Sequence, residues 1–322
     1  MTHSFKYSPI AAAVMIMFAS SAYAQGSVIN SDAEFVDDAE IVIDQTYSNG
    51  KYSGVIANQP GGSYLVTVAD GKTLTIKSGT KAQGWSSERG LVAFDGSTLT
   101  VRGDVALDLS ETTSKDQNLR GITTDSGLLI EGDLSGTVAV TGGTGVGLDA
   151  WDAGELEVRG GTNLTLTGSD AYLLGVQGQN GSQIFTQDLT INASTGGKVQ
   201  GFYYDNGSVF TAVGATKLTL KGNGGAGISA SGESSLTFKG PTTIRLTIEN
   251  ASNGDSFGVY ANNAVVDFEK NADIVATLDG GYGVRTLSDP AKPTTQVNFK
   301  GDQTNINVSG NEIHGVAVSG GG

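Results

Sequence analysis

Ten times along this chain a glycine opens the same short phrase: glycine, an apolar residue, a variable residue, then usually a small one. The phrases begin at Gly54, Gly90, Gly121, Gly147, Gly175, Gly201, Gly227, Gly258, Gly283 and Gly315, at spacings of 25 to 36 residues. The residue after each glycine is always apolar, from Val55 and Leu91 to Val284 and Val316. The next column has no fixed character: Ile56, Val92, Thr123, Asp149, Gln177, Tyr203, Ser229, Tyr260, Arg285 and Ala317. The column after it is mostly small, with Tyr204 the large exception. In-out-in alternation is the mark of a strand, so the variable column is expected to face outward. The glycine marks either a turn needing positive φ or a place too tight for a Cβ.

Two more strand-like phrases follow in each period. One is short, as in Leu99-Thr100-Val101 and Leu236-Thr237-Phe238. The other alternates more clearly, as in Val105, Leu107 and Leu109, or Ile244, Leu246 and Ile248. Period-two alternation puts one face in and one face out. Three short strands per period predict a triangular coil, with like strands stacked ~4.8 Å apart in parallel sheets. A repeat array of this kind overrides the two-domain expectation from length. The predicted fold is all-β: a solenoid, or parallel β-helix, of about ten three-strand coils, very roughly 45 Å long. Phe202 and Tyr204 are large for their columns, and the small neighbours Gly178 and Ala230 are expected to make room. Polar stretches at 110–117, 249–256 and 287–295 read as loops inserted between strands.

Composition agrees. There are 48 glycines, 5 prolines and no cysteine in 322 residues. Residues 1–24 combine Lys6, an apolar run from Ile10 to Ala19 and the small-x-small site Ala22-Tyr23-Ala24, which reads as a secretory signal peptide. Residues 25–53 lack the clean repeat, carry an acidic run and read as an N-terminal cap. Residues 54–322 then form the β-helix. The net charge is −14, and every acidic residue lies beyond the leader. Such a surface argues against a nucleic-acid partner. An exported chain without disulfides depends on its core alone.

Together, the leader, the cysteine-free acidic chain and the glycine-aliphatic-x-alanine coils resemble the passenger domain of monomeric autotransporters, the adhesin and pertactin-like group. Phrases such as Ser97-Thr98-Leu99-Thr100-Val101 and Ser234-Ser235-Leu236-Thr237-Phe238 carry the likeness, which covers nearly all of residues 25–322. The resemblance implies a right-handed parallel β-helix, exported through the periplasm and displayed on a Gram-negative surface or released. It implies adhesion, aggregation or host contact, with a host-cell, matrix or carbohydrate receptor, or self-association. The family ends in an outer-membrane β-barrel, and membrane attachment would come only through such a barrel. None follows Gly322, and the expectation is that the chain is part of a longer one.

Candidate binding residues are few. Arg102-Gly103-Asp104 forms a receptor-type tripeptide in a turn, although the repeat alone also accounts for a Gly-Asp turn there. Tyr203 and Tyr260 stand two coils apart in the outward column, with Trp151 near the same face. Outward aromatics can stack on sugars or mark a binding surface. The alternative class is a secreted β-helical carbohydrate-active enzyme, a polysaccharide lyase or glycosidase. Asp149 and Asp152 flank Trp151, but Arg285 lies several coils from Asp149, too far to cooperate with it. Thr124-Asp125-Ser126-Gly127 has no nearby base, and the only histidine beyond the leader is His314. No catalytic residue, metal ligand or cofactor site is expected.

Overall fold

The structure, a computed structural model, describes residues 16–18, 24–25, 32–43, 46–48, 51–57, 59–79, 87–110, 118–249, 256–288 and 295–320. Most of the expected signal peptide and most of the three inserted loops lie outside these residues. Among the described residues every regular element is a strand. The expected solenoid is present, with about nine turns.

The short phrases, from Ser63–Val68 through Gln183–Thr186 to Gln296–Phe299, stack in parallel as one face of the rod. The alternating phrases and the glycine phrases form the other two columns. The two columns join where single strands, Ala272–Ser288 and Thr304–Gly320, run through both. Register is kept throughout: Ile228 pairs with Val259, and Val259 with Val284. All three point into the core and are buried. Within the segment read as a cap, Ala33–Phe35 and Ala39–Ile43 pair in parallel with Ser63–Val68 and Thr73–Ser78, extending the same columns.

The core is one continuous cluster along the rod. Its aromatic part runs Phe202, Phe210, Phe238, Phe268, Phe299. Phe202 meets Phe210 edge-on at 4.6 Å, and Phe268 stacks on Phe299 at 5.0 Å with 4° between planes. Parallel in-register stacking follows when like residues repeat once per coil. Tyr204 is fully buried, and a Cβ on Gly178 would strike its ring, so Gly178 is the compensating neighbour expected from the sequence.

The repeated glycines have a single explanation. None of the ten has positive φ. A Cβ on Gly90, Gly121, Gly147, Gly175, Gly201 or Gly227 would lie 2.5 or 2.6 Å from the carbonyl oxygen of the next glycine along the rod. Ladder pairing also skips them: Arg120 pairs with Val146, and Ile122 with Leu148. The strand bends at each glycine, and the bends nest too closely for any side chain.

Corners carry their own ladders. Asp104 Oδ1 accepts from the Asp133 N–H at 2.9 Å, and Asp133 Oδ1 from the Gly161 N–H at 2.7 Å. After the glycine strand, Asp152, Asn180 and Asn206 take left-handed φ of 48°, 56° and 50°. Their side chains link rung to rung at 2.9 and 3.1 Å. Asp and Asn tolerate this conformation best among non-glycine residues.

These contacts set a test of the glycine column. Gly201→Ala drives its methyl into the Gly227 carbonyl and the Leu218 side chain, and should cost about 1–3 kcal/mol as overpacking does. Gly315 has nothing within 4 Å of its Cβ position, and Gly315→Ala should fall within about 0.5 kcal/mol. Denaturant midpoints of the two variants decide it; equal losses would refute the nesting account.

Candidate functional site: the groove at the glycine bend

In a straight strand, residues three apart point to opposite faces. Phe257 and Tyr260 flank Gly258 at that spacing, yet their rings stack at 4.8 Å with 27° between planes. Tyr282 and Arg285 flank Gly283 in the same way, and the guanidinium lies 4.8 Å from the ring centre. The bend at glycine therefore folds the outer face into a groove. One wall is the residue before each glycine, and the other is the variable column.

The walls change character along the rod. Toward the N-terminus the groove is filled. Ile56, Val92, Thr123 and Asp149 are at most 1 % exposed, and Gln177 is also buried. These residues were expected to face water; the bend turns their face inward on itself. Ile56, Val92 and Phe94 form a second apolar cluster outside the main core, and Trp151 packs against it, meeting Phe94 edge-on at 5.9 Å.

Next to this cluster lies a buried charge. Asp149 pairs with Arg120, whose strand is the adjacent rung, and Arg89 adds its field. Burial is the larger effect and pushes the Asp149 carboxyl above its ordinary range; the two guanidiniums pull it back. An ion pair in such a place offsets its own desolvation rather than adding much stability. Arg120 was not singled out by the sequence. Its signal was its position immediately before a glycine, one coil ahead of Asp149.

Toward the C-terminus the groove opens. Tyr203, Ser229, Tyr260, Phe257, Tyr282 and Arg285 are all half-buried. Phe257 stacks on Tyr282 at 5.8 Å, and Tyr282 on His314 at 5.0 Å. Arg285 lies over Tyr282, its Nε is buried without a partner, and it has no carboxylate partner among the described residues. Tyr203 donates to Asp205 Oδ2 at 2.9 Å. Tyr203 and Tyr260 do share one column, with Ser229 between them. Phe257 and Tyr282 were not among the residues singled out from the sequence, and His314 was named there only as a histidine without a catalytic setting.

The remaining candidates sit elsewhere. Arg102 is exposed and reaches Glu131 at 3.3 Å. Gly103 has φ of 106°, and a Cβ there would lie 2.8 Å from Val68. Asp104 caps the next turn, as described above. The tripeptide is thus occupied by the corner ladder and is separate from the groove. Asp149 and Arg285 lie five rungs apart in one column, ~24 Å at the usual strand spacing, so the structure does not bring them together. Among the described residues no cluster of metal-ligating side chains is found.

No family model, curated protein or solved structure matches this chain.

The charge buried at Asp149 gives a pH test. Its folded pKa is raised, so its contribution to stability is full below the unfolded value and is lost as pH rises through the folded one. Asp149→Asn removes that titration. The stability of the natural chain relative to Asp149→Asn should therefore fall as pH rises from about 4, the ordinary carboxylate value, toward neutrality. Urea midpoints of both proteins at the two pH values give the sign; a rise would mean that Arg120 outweighs burial.

Proposed function

We propose that this protein is an exported β-helical binding rod of the autotransporter-passenger kind, acting at a Gram-negative cell surface or after release, in adhesion, aggregation or host contact. The observation that carries this reading is the open stretch of the groove. Aromatic side chains and the Arg285 guanidinium line it over successive rungs, on a scaffold held in register by its own core. Half-buried aromatics with Arg are the residue types that anchor recognition surfaces. The length of the rod provides repeated rungs, and the acidic remainder keeps it soluble and averse to nucleic acid.

The reading is of a binding protein and not of an enzyme. A β-helical lyase or glycosidase needs carboxylates gathered with a cation at one place. Here the buried carboxylate Asp149 is sealed against Arg120, and the open part of the groove is aromatic. The export route and surface location rest on the leader and the family resemblance.

Beads coated with the full chain should adhere to epithelial cells or matrix proteins. The double variant Tyr282→Ala/Arg285→Ala should lose more than half of that adhesion, while its melting temperature stays within about 2–4 °C of the parent. Undiminished adhesion by a folded double variant would remove the groove from the account.

A further inference from the structure

Away from the groove, the corners of the rod hold a reactive sequence. The chain has five Asn-Gly pairs, at Asn49, Asn180, Asn206, Asn223 and Asn253. The first and the last lie outside the described residues. In such a pair the asparagine side chain is open to attack by its own backbone, because glycine has no Cβ to obstruct the approach. The glycine nitrogen gives up its proton and bonds to the asparagine Cγ. The Cγ–Nδ2 bond breaks, and the nitrogen leaves as ammonia. Water then opens the cyclic imide at either carbonyl, giving aspartate or isoaspartate.

The three described pairs share this sequence but not its setting. All three asparagines are exposed. In all three the leaving nitrogen is hydrogen-bonded. Asn180 Nδ2 donates to Asp152 Oδ1 at 2.9 Å, Asn206 Nδ2 to Asn180 Oδ1 at 3.1 Å, and Asn223 Nδ2 to the Gly196 carbonyl at 2.6 Å. The attacking nitrogens differ. The Gly181 N–H donates to the Asn206 carbonyl at 2.9 Å, and the Gly207 N–H to the Gly232 carbonyl at 2.7 Å. Each must leave the rung-to-rung ladder before it can turn toward its own side chain and lose its proton. The Gly224 N–H makes no hydrogen bond among the described residues, so its attack breaks nothing.

We propose that Asn223 is a site of spontaneous deamidation, selected by the fold over Asn180 and Asn206. The product disturbs its corner. The Asn223 N–H donates to the Gly197 carbonyl at 2.8 Å, and the Gly224 carbonyl accepts from the Val199 N–H at 2.9 Å. These two bonds tie the corner to the preceding rung. Isoaspartate inserts one extra main-chain carbon between them. Gly225, next in the chain, leaves no room to absorb it, because even a Cβ there would run into the Val199 carbonyl. Aspartate keeps the backbone but replaces the donor to Gly196 with a carboxylate, which accepts only. Either product loosens the entry to the strand Gly225–Ser231.

The test is peptide mapping by mass spectrometry on the full chain, aged in warm, mildly alkaline buffer both folded and in denaturant. The rate in denaturant is each site's own reference. Folding should slow Asn180 and Asn206 about two- to ten-fold more than it slows Asn223, which is the worth of one net hydrogen bond. Equal protection at all three sites, or stronger protection at Asn223, would overturn the proposal. The urea midpoint of the aged parent should drop further than that of Asn223→Ser aged beside it. Equal drops would overturn the disturbed corner.

Discussion

Everything in this rod depends on how closely one backbone bend sits on the next. At each repeat before the last the strand turns at a glycine that faces the carbonyl of the following glycine, with no space for a methyl group. That contact keeps the bends nested. Nested bends keep the strands in register, and register turns a one-per-coil sequence pattern into continuous columns of like side chains. Phe268 on Phe299 and Asn206 on Asn180 are consequences of the same alignment, one in the core and one at a corner.

The bend also decides what the outer surface can be. A flat sheet would present alternate residues to water one by one. A sheet folded at glycine brings the residue before it and the residue two after it face to face. Whether this groove is closed or open then depends on side-chain size and on cover. Where Ile56, Val92, Phe94 and Trp151 meet, it becomes a second small core. Where Phe257 meets Tyr260 and Tyr282 meets Arg285, it stays half-exposed. One backbone feature thus gives a second small core at one end and a half-exposed aromatic groove at the other.

A chain without cysteine must stabilise such an elongated form through many weak, repeated terms. Aliphatic burial along the rod is the largest. Corner ladders of Asp and Asn satisfy backbone donors that strands leave over at turns. Asp149 shows the limit of the arrangement. It is a charge sealed into the filled part of the groove, held by Arg120 and pushed toward its neutral form by burial.

The sequence by itself determined the solenoid. Period and alternation are local properties, and a side chain's face in a strand follows from its parity alone, so Val259 and its column could be placed in the core without coordinates. Compensation at Tyr204 was legible for the same reason, because its rung neighbours Gly178 and Ala230 are known once the period is known. The role of the glycine was left between two choices, since both need the same missing Cβ. Only the tertiary structure chose between them. The groove was hidden for a related reason: parity assumes a straight strand, and a bend at each glycine reverses it. Asp149 was thereby read as exposed when it is buried, and Phe257 and Tyr282 were passed over when they line the open face. Contacts between neighbouring coils, such as Arg120 with Asp149, depend on that curvature, and no single coil's sequence contains it.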